Sequence, residues 1–465
     1  MAKLSGKTKK SLSSKMPLRQ INREPEKANS QENADDAIGK AIAIASAKKP
    51  DKKFLPVSKE IFDRIGYGFG SQQFVSILFF LTGASFFVIG AINGARVVLS
   101  TLVSLLLQQY AKIKSVRRIV SASGIIFGFS FLLISTAVFL HSVALFSLAV
   151  LLGGASIVPY SDLYQKLVRE KDKTYLRRIV NYGLIITAIS LFVSAFLMDF
   201  FPITGVPVEF SIFGKLFSFR VYGYLIAFEA TALSFILSGY ILSFIDVKDE
   251  SEGSSAFKSF RESWSQLRQK MPYFLGNRAI LILVIAGALT SLSQTIGNSY
   301  YGIFVYDHFI NKGFGGFLNV AVVFLIAVFS SIFGSLVSKI DSKAYGKFPT
   351  LAFGTLLMAV MPLSYYYKPN LILVAMGTMS GIIGAAIVGV ANGLLALELV
   401  SESERGFYFS FYSFFVIIAY LVFAPMLSYF AQIFGLSSLF LLLALILVMV
   451  TLLYVIAVAL QSQPA

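Results

Sequence analysis

The sequence predicts an all-α polytopic membrane protein: twelve transmembrane helices as two pseudo-symmetric six-helix bundles, with both termini cytoplasmic. Three observations predict it. Of 465 residues, 56% are hydrophobic and 14% charged. A soluble domain carries about 25% charged residues, and so little polar material cannot cover a wet surface. Apolar runs of roughly 20 residues, long enough to cross a hydrocarbon core, succeed one another from Gly70 onward. Lys and Arg crowd into alternate connections between those runs, which sets their sidedness.

Residues 1–53 come first, with thirteen Lys or Arg against six Asp or Glu and no aromatic residue before Phe54. They read as a disordered basic cytoplasmic tail. The one apolar stretch there, Ala37–Ala47, is short and interrupted by Lys40, unlike a signal peptide. Residues 54–69 (FLPVSKEIFDRIGYGF) read as an interfacial helix leading into the membrane. Spans are then expected near 70–92, 94–111, 118–139, 142–167, 178–200 and 221–245, an N-terminal bundle over 70–245. A polar cytoplasmic linker, 246–277, contains the single Trp264 within an amphipathic helix. The C-terminal bundle, 278–460, holds spans near 278–306, 314–338, 347–367, 370–398, 407–431 and 436–460, followed by a short tail, 461–465.

The loop charges give the topology. Connections expected inside hold Lys112, Lys114, Arg117 and Arg118; then Lys166, Arg169, Lys171, Lys173, Arg177 and Arg178; then Lys258, Arg261, Arg268, Lys270 and Arg278; then Lys339, Lys343 and Lys347. The outer connections hold only Arg96, Lys215, Arg220, Lys312 and Lys368. This asymmetry puts both ends in the cytoplasm of a cell-membrane protein. The formal net charge of +16 follows from the same placement and from anionic lipid headgroups, so nucleic acid is not an expected partner.

The absence of cysteine excludes disulfides and thiolate metal sites. His141 and His308 are isolated, so no metal or other cofactor is expected. The spans offer no His–carboxylate cluster and no nucleophile dyad, and no phosphate-binding Walker loop occurs. An enzyme is therefore not expected.

Two segment pairs echo each other about 230 residues apart, the internal symmetry of many transporters. LLLQQYAKIKSVRR (Leu105–Arg118) lies against GSLVSKIDSKAYGK (Gly334–Lys347), and GGASIVPYSDLYQKLVRE (Gly153–Glu170) against AAIVGVANGLLALELVSE (Ala385–Glu402). On these residues the chain resembles the major facilitator superfamily. That family carries Gly-x-x-x-Asp-Arg-x-Gly-Arg-Arg between helices two and three and a weaker copy between eight and nine. Gly334, Asp341, Gly346 and Lys347 match the second copy in stretched form, whereas the first keeps only Arg117 and Arg118. ELVSESERG (Glu398–Gly406) is similar to that family's connection after helix ten.

The resemblance implies a secondary active transporter that moves a small solute by alternating access between two halves, with a proton or cation as a coupling partner. It implies no cofactor, contact with membrane lipids, and a monomer. Helices 1, 4, 7 and 10 would line a central cavity, which selects Thr82, Tyr160, Gln294, Asn298, Tyr301 and Asn392 as substrate contacts. The same amides and hydroxyls also serve as hydrogen-bonded glue between helices. Glu229, the carboxylate that falls within a span, is the coupling candidate, against a plain role near the headgroups. A cytoplasmic gate would pair Arg117 and Arg118 with Glu402 and Glu404, and Asp341 with Arg177 and Arg178, with Lys112 and Lys347 in the same layer. Two other readings share these features: a flippase for a lipid or lipid-linked oligosaccharide, and a sensor that keeps the transporter fold without transport.

Overall fold

A computed structural model of the full chain describes residues 54–108, 116–164, 170–212, 215–244, 265, 268–344, 346–367 and 370–461. The expected tail, 1–53, most of the linker and the short C-terminal tail lie outside the described residues. Lys52–Ala465 forms one compact unit.

Helices dominate because the apolar runs can satisfy their backbone polar groups only internally in a hydrocarbon environment. In chain order they are α1 (Phe54–Phe69), α2 (Gln72–Leu81), α3 (Phe86–Gln108), α4 (Val116–Phe139) and α5 (Val143–Val158). A π-helical turn, Pro159–Leu163, extends α5. Then come α6 (Glu170–Phe200), α7 (Gly223–Leu242), α8 (Arg278–Phe309), α9 (Gly316–Ala344), α10 (Lys347–Tyr366), α11 (Leu371–Leu399) and α12 (Arg405–Gln461). Between α6 and α7 an antiparallel hairpin pairs β1 (Val206–Ile212) with β2 (Lys215–Val221), Val206 opposite Val221. Nine helices among the described residues are long and apolar enough to cross a membrane. This is an integral membrane protein.

The start of the bundle differs from expectation. Residues 54–69 do not lie on a surface: α1 packs on α6 and α7, with Lys59 3% and Asp63 4% exposed. One helical rod runs from Phe54 to Leu81, bent at Gly70–Ser71 where α1 gives way to α2. The chain turns back at Thr82–Ser85 through Gly83, whose φ of 99° is open to glycine without steric cost. The span expected at 70–92 is therefore divided between two rods, and Arg96 moves from an outer loop into the middle of α3. The physical cause is plain: Thr82–Ser85 carries no charge to mark the turn, and the charges of α1 are neutralised within that helix.

At the other end, α12 is two helices in line of sequence. Gly435 breaks it with φ 82° and ψ 166°, close to the expected gap between 431 and 436.

The β-hairpin, the Thr82–Ser85 turn, the α8–α9 loop and Gly435 all lie at one end of the bundle, hereafter the hairpin end. The starts of α1, α4, α8, α10 and α12 lie at the opposite, termini end. Rings fill the interior, for example Phe79 stacked on Phe146 at 4.4 Å between centroids and Phe131 on Phe235 at 5.7 Å. Small residues bring backbones together. At Gly384 of α11 an added Cβ would stand 2.4 Å from Gly354 O of α10.

That contact leaves no room to relax. Gly384→Val is expected to destabilise the protein by about 1–3 kcal/mol through overpacking, read as a lower melting temperature in detergent. An unchanged melt would show that α10 and α11 are not packed this closely.

Candidate functional site

Two polar constellations occupy the interior. The first lies toward the termini end, among α1, α5 and α7. Helical spacing puts Lys59 over Asp63 and Glu60 over Arg64, one turn apart. Lys59 Nζ contacts Asp63 Oδ2, and Arg64 Nη2 lies 2.8 Å from Glu60 Oε1. The Asp63 carboxylate also accepts from Tyr160 Oη and from Ser238 Oγ at 2.7 Å. Lys59 Nζ caps the rings of Tyr164 at 3.8 Å and Tyr160 at 4.6 Å. Each buried charge thus has an opposite charge and hydrogen bonds, the condition under which burial is tolerated.

The second constellation sits at mid-depth. Arg96 lies ten residues into the 23-residue α3, and its Nη1 donates to Gln72 Oε1 at the first position of α2. Its stem crosses Gly154 of α5, where a Cβ would fall 2.2 Å from Arg96 Cγ. Tyr420 belongs to α12. Its hydroxyl donates to Ser291 O at 2.7 Å, with Thr295 Oγ1 also at 2.7 Å, and so ties α12 to α8.

From this level toward the hairpin end, α1–α7 and α8–α12 are bonded together. Gly302 N–H donates to Gln73 Oε1 at 2.9 Å, and Tyr300 Oη donates to Phe86 O at 2.7 Å. Asp199, near the end of α6, accepts from Phe317 N at 2.9 Å and Leu318 N at 2.7 Å. That carboxylate caps the N-terminus of α9, where exposed N–H groups and the helix dipole favour a negative charge. Helices α3 and α12 pack along the same seam, Gly90 against Ser428 and Gly94 against Ala424.

The residues singled out from sequence fall in different places. Gln294 and Asn298 are half-buried on α8, Gln294 Nε2 reaching Met358 Sδ at 4.0 Å. Asn392 is half-buried on α11, with Oδ1 enclosed and lacking a hydrogen-bond partner. Thr82 caps its own helix at the hairpin end, donating to Leu78 O at 2.6 Å. Tyr301 is packed among Tyr365 and Phe440. Tyr160 is held in the Asp63 constellation. Glu229 is exposed on α7.

Of the gate residues, Lys112 lies outside the described residues, as do the side chains of Arg177, Arg178 and Asp341. Arg117 is half-buried and Arg118 exposed at the start of α4, and Glu402 is exposed. Glu404 pairs with Lys270 at 3.3 Å, and Lys347 contacts Glu398 across α10 and α11. Among the described residues no group of His, Asp or Glu could hold a metal ion.

Sequence reasoning does not single out Lys59, Asp63, Arg96, Gln72 or Asp199 as site candidates. The i, i+4 pairing of Lys59 with Asp63 and of Glu60 with Arg64 is the signal that could have found the first two, since it marks a helix fit for burial.

No protein-family profile and no characterised protein sequence matches the chain. Solved structures do. A mutant form of the nucleoside transporter NupG superposes with a TM-score of 0.68 at 12% identity, covering 88% of this chain and 100% of that one. A POT family transporter in complex with a thioalcohol-conjugated peptide gives 0.59 at 15% identity, over 88% and 97%. A bacterial homologue of the iron transporter ferroportin, in an inward-facing state, gives 0.60 at 14%, over 89% and 99%. The chain shares its fold with these solved transporters.

Breaking the buried pair should be costly. Asp63→Asn leaves Lys59 unneutralised and is expected to lose about 3–5 kcal/mol, whereas a Lys59→Met/Asp63→Leu double substitution should recover most of it. Equal melting temperatures for Asp63→Asn and the parent protein would contradict the pairing.

Proposed function

We propose that this protein is a secondary active transporter that moves a small solute across the cell membrane by alternating access between α1–α7 and α8–α12. The observation that carries this reading is the seam at the hairpin end. The hydrogen bonds described between the halves lie in the hairpin-end part of the bundle. Within the first rod, α2 packs on α8 while α1 packs on α6 and α7. A polar mid-level containing Arg96, Gln72, Tyr420, Gln294 and Asn298 lies beneath that seal. A sealed layer at one end, with polar groups at mid-depth below it, is what one face of an alternating-access carrier requires.

The rods fit twelve crossings. The nine long apolar helices become ten when α12 is divided at Gly435, eleven with α9, and twelve with the bent α1–α2 rod. The basic connections put both termini in the cytoplasm, which makes the hairpin end external. By their descriptions the solved neighbours are a nucleoside transporter, a POT family transporter in complex with a peptide conjugate and a bacterial homologue of an iron transporter, which supports solute transport rather than catalysis. The working unit is a monomer in lipid, with a proton or cation as co-substrate. The Asp63 constellation replaces Glu229 as the coupling candidate, because Glu229 is exposed and Asp63 is buried next to the bend of the first rod. Gln294, Asn298 and Asn392 remain proposed contacts for the solute. The basic starts of α4 and α6 and the acidic Glu402 remain the material of a cytoplasmic gate.

The Asp199 cap is the most separable part of the external seal. Asp199→Ala removes a charged acceptor from two N–H groups, each such bond worth roughly 1.5–3 kcal/mol, and should shift the population outward-open. The chain has no native cysteine, so Ser428→Cys, buried at the seam, reports opening through its reaction with an impermeant maleimide. Labelling should be about fivefold faster or more in the Asp199→Ala background. Equal rates would remove Asp199 from the gate and weaken the alternating-access reading.

A further inference from the structure

Arg96 differs from the cations of α1. Lys59 has Asp63, and Arg64 has Glu60, each a carboxylate one turn away on the same helix. Among the described residues Arg96 has the Gln72 amide as its hydrogen-bond acceptor and no carboxylate within ion-pair distance. It is half-buried, about 15 Å from the hairpin end at 1.5 Å per residue. An unneutralised cation at that depth is costly. A side chain kept only to hold helices together needs no permanent charge, since the amide and hydroxyl contacts elsewhere in this bundle do that work.

The surroundings suit an anion. A guanidinium presents a planar fork of N–H donors that matches carboxylate and phosphate oxygens two at a time, and Gln72 engages one arm through Nη1. Helix α2 begins at Gln72, and Ser71 provides no side-chain cap, so the positive end of a ten-residue helix adjoins the guanidinium. Gly154 gives the Arg96 stem its path.

We propose that Arg96, with Gln72 beside it, binds the anionic group, carboxylate or phosphate, of the solute this protein carries. The inference rests on the transporter reading and narrows its substrate to small organic anions. Gln72 holds the fork in place when no solute is bound, and the incoming oxyanion supplies the missing negative charge.

The test uses the full-length protein in detergent micelles. Melting curves are recorded with a panel of small carboxylates and phosphate esters, each beside an uncharged counterpart: succinate with dimethyl succinate, AMP with adenosine, glycerol 3-phosphate with glycerol. At least one anion should raise the melting temperature while its neutral partner does not. Arg96→Gln should raise the half-saturating concentration tenfold or more, and Arg96→Lys should fall between. Gln72→Glu guards against a folding artefact, because it supplies an internal carboxylate to Arg96. It should keep or raise the basal melting temperature while weakening the anion at least tenfold.

Anion affinity unchanged in Arg96→Gln and Gln72→Glu, binding of neutral solutes alone, or no anion bound by the parent protein would each overturn the proposal. Adding phosphatidylglycerol to the micelles separates sources. A shift with that lipid alone, lost in Arg96→Gln, would assign the site to a lipid headgroup and overturn the solute assignment. Liposome uptake separates the two readings. An anion that binds through Arg96 but does not enter liposomes sinks transport and leaves the site. A neutral solute carried equally by parent, Arg96→Gln and Gln72→Glu sinks the site and leaves transport.

Discussion

A charge inside a hydrocarbon-like interior must be neutralised where it sits, because no water is there to solvate it. That constraint shapes the first rod. Residues 54–69 enter the bundle carrying two cations and two anions because each cation has its counter-ion four residues away, and a helix brings i and i+4 together. Tyr160, Ser238 and the ring of Tyr164 then satisfy what the pairs leave. Without that internal neutrality α1 would belong on a surface.

Neutrality in α1 lets the rod lie deep enough to bend. At Gly70–Ser71 the helix stops and restarts, and the two parts take different partners: α1 stays with α6 and α7, and α2 meets α8. The bend is therefore the point at which one half of the molecule begins to touch the other. Arg96 hydrogen-bonds at that point, through Gln72. The start of α2 thus coincides with a half-buried cation that, among the described residues, has no carboxylate within ion-pair distance. The seal above it is made of bonds that a small rotation breaks together: an aspartate on two amides, a glutamine on one, a tyrosine on a carbonyl. Buried rings within each half are not disturbed by such a rotation.

Much of the helical architecture is legible in the sequence because apolar runs and basic loops respond to one solvent, the bilayer. The expected 118–139, 221–245, 347–367 and 370–398 fall close to α4, α7, α10 and α11, where charges or Asn mark the ends. The break at Gly435 lies beside the expected gap. Expectation and structure part where polarity misleads. Thr82–Ser85 turns without a charge, so the boundary moves by about ten residues, and Arg96, counted with an outer connection at the start of the expected span 94–111, lies in the middle of α3. The KEIFDR sequence has the composition of an interface, since composition does not show that its charges cancel along one helix. Tyr160 is buried within its span, but against Asp63 rather than in the middle of the bundle. Asp199 escapes notice because a helix cap across two halves has no signature in either half alone. Local periodicity specifies helices, while sites arise from juxtaposition.

Paired distance measurements at the two ends test the central claim, that the halves pivot about a mid-level site. With no native cysteine to interfere, spin labels can be placed at exposed His141 and Asn370 for the hairpin end and, in a second protein, at exposed Arg118 and Glu402 for the termini end. In liposomes, as solute is added, the account requires the two distances to change in opposite senses, one lengthening as the other shortens. Two distances that stay fixed, or that widen together, would contradict it.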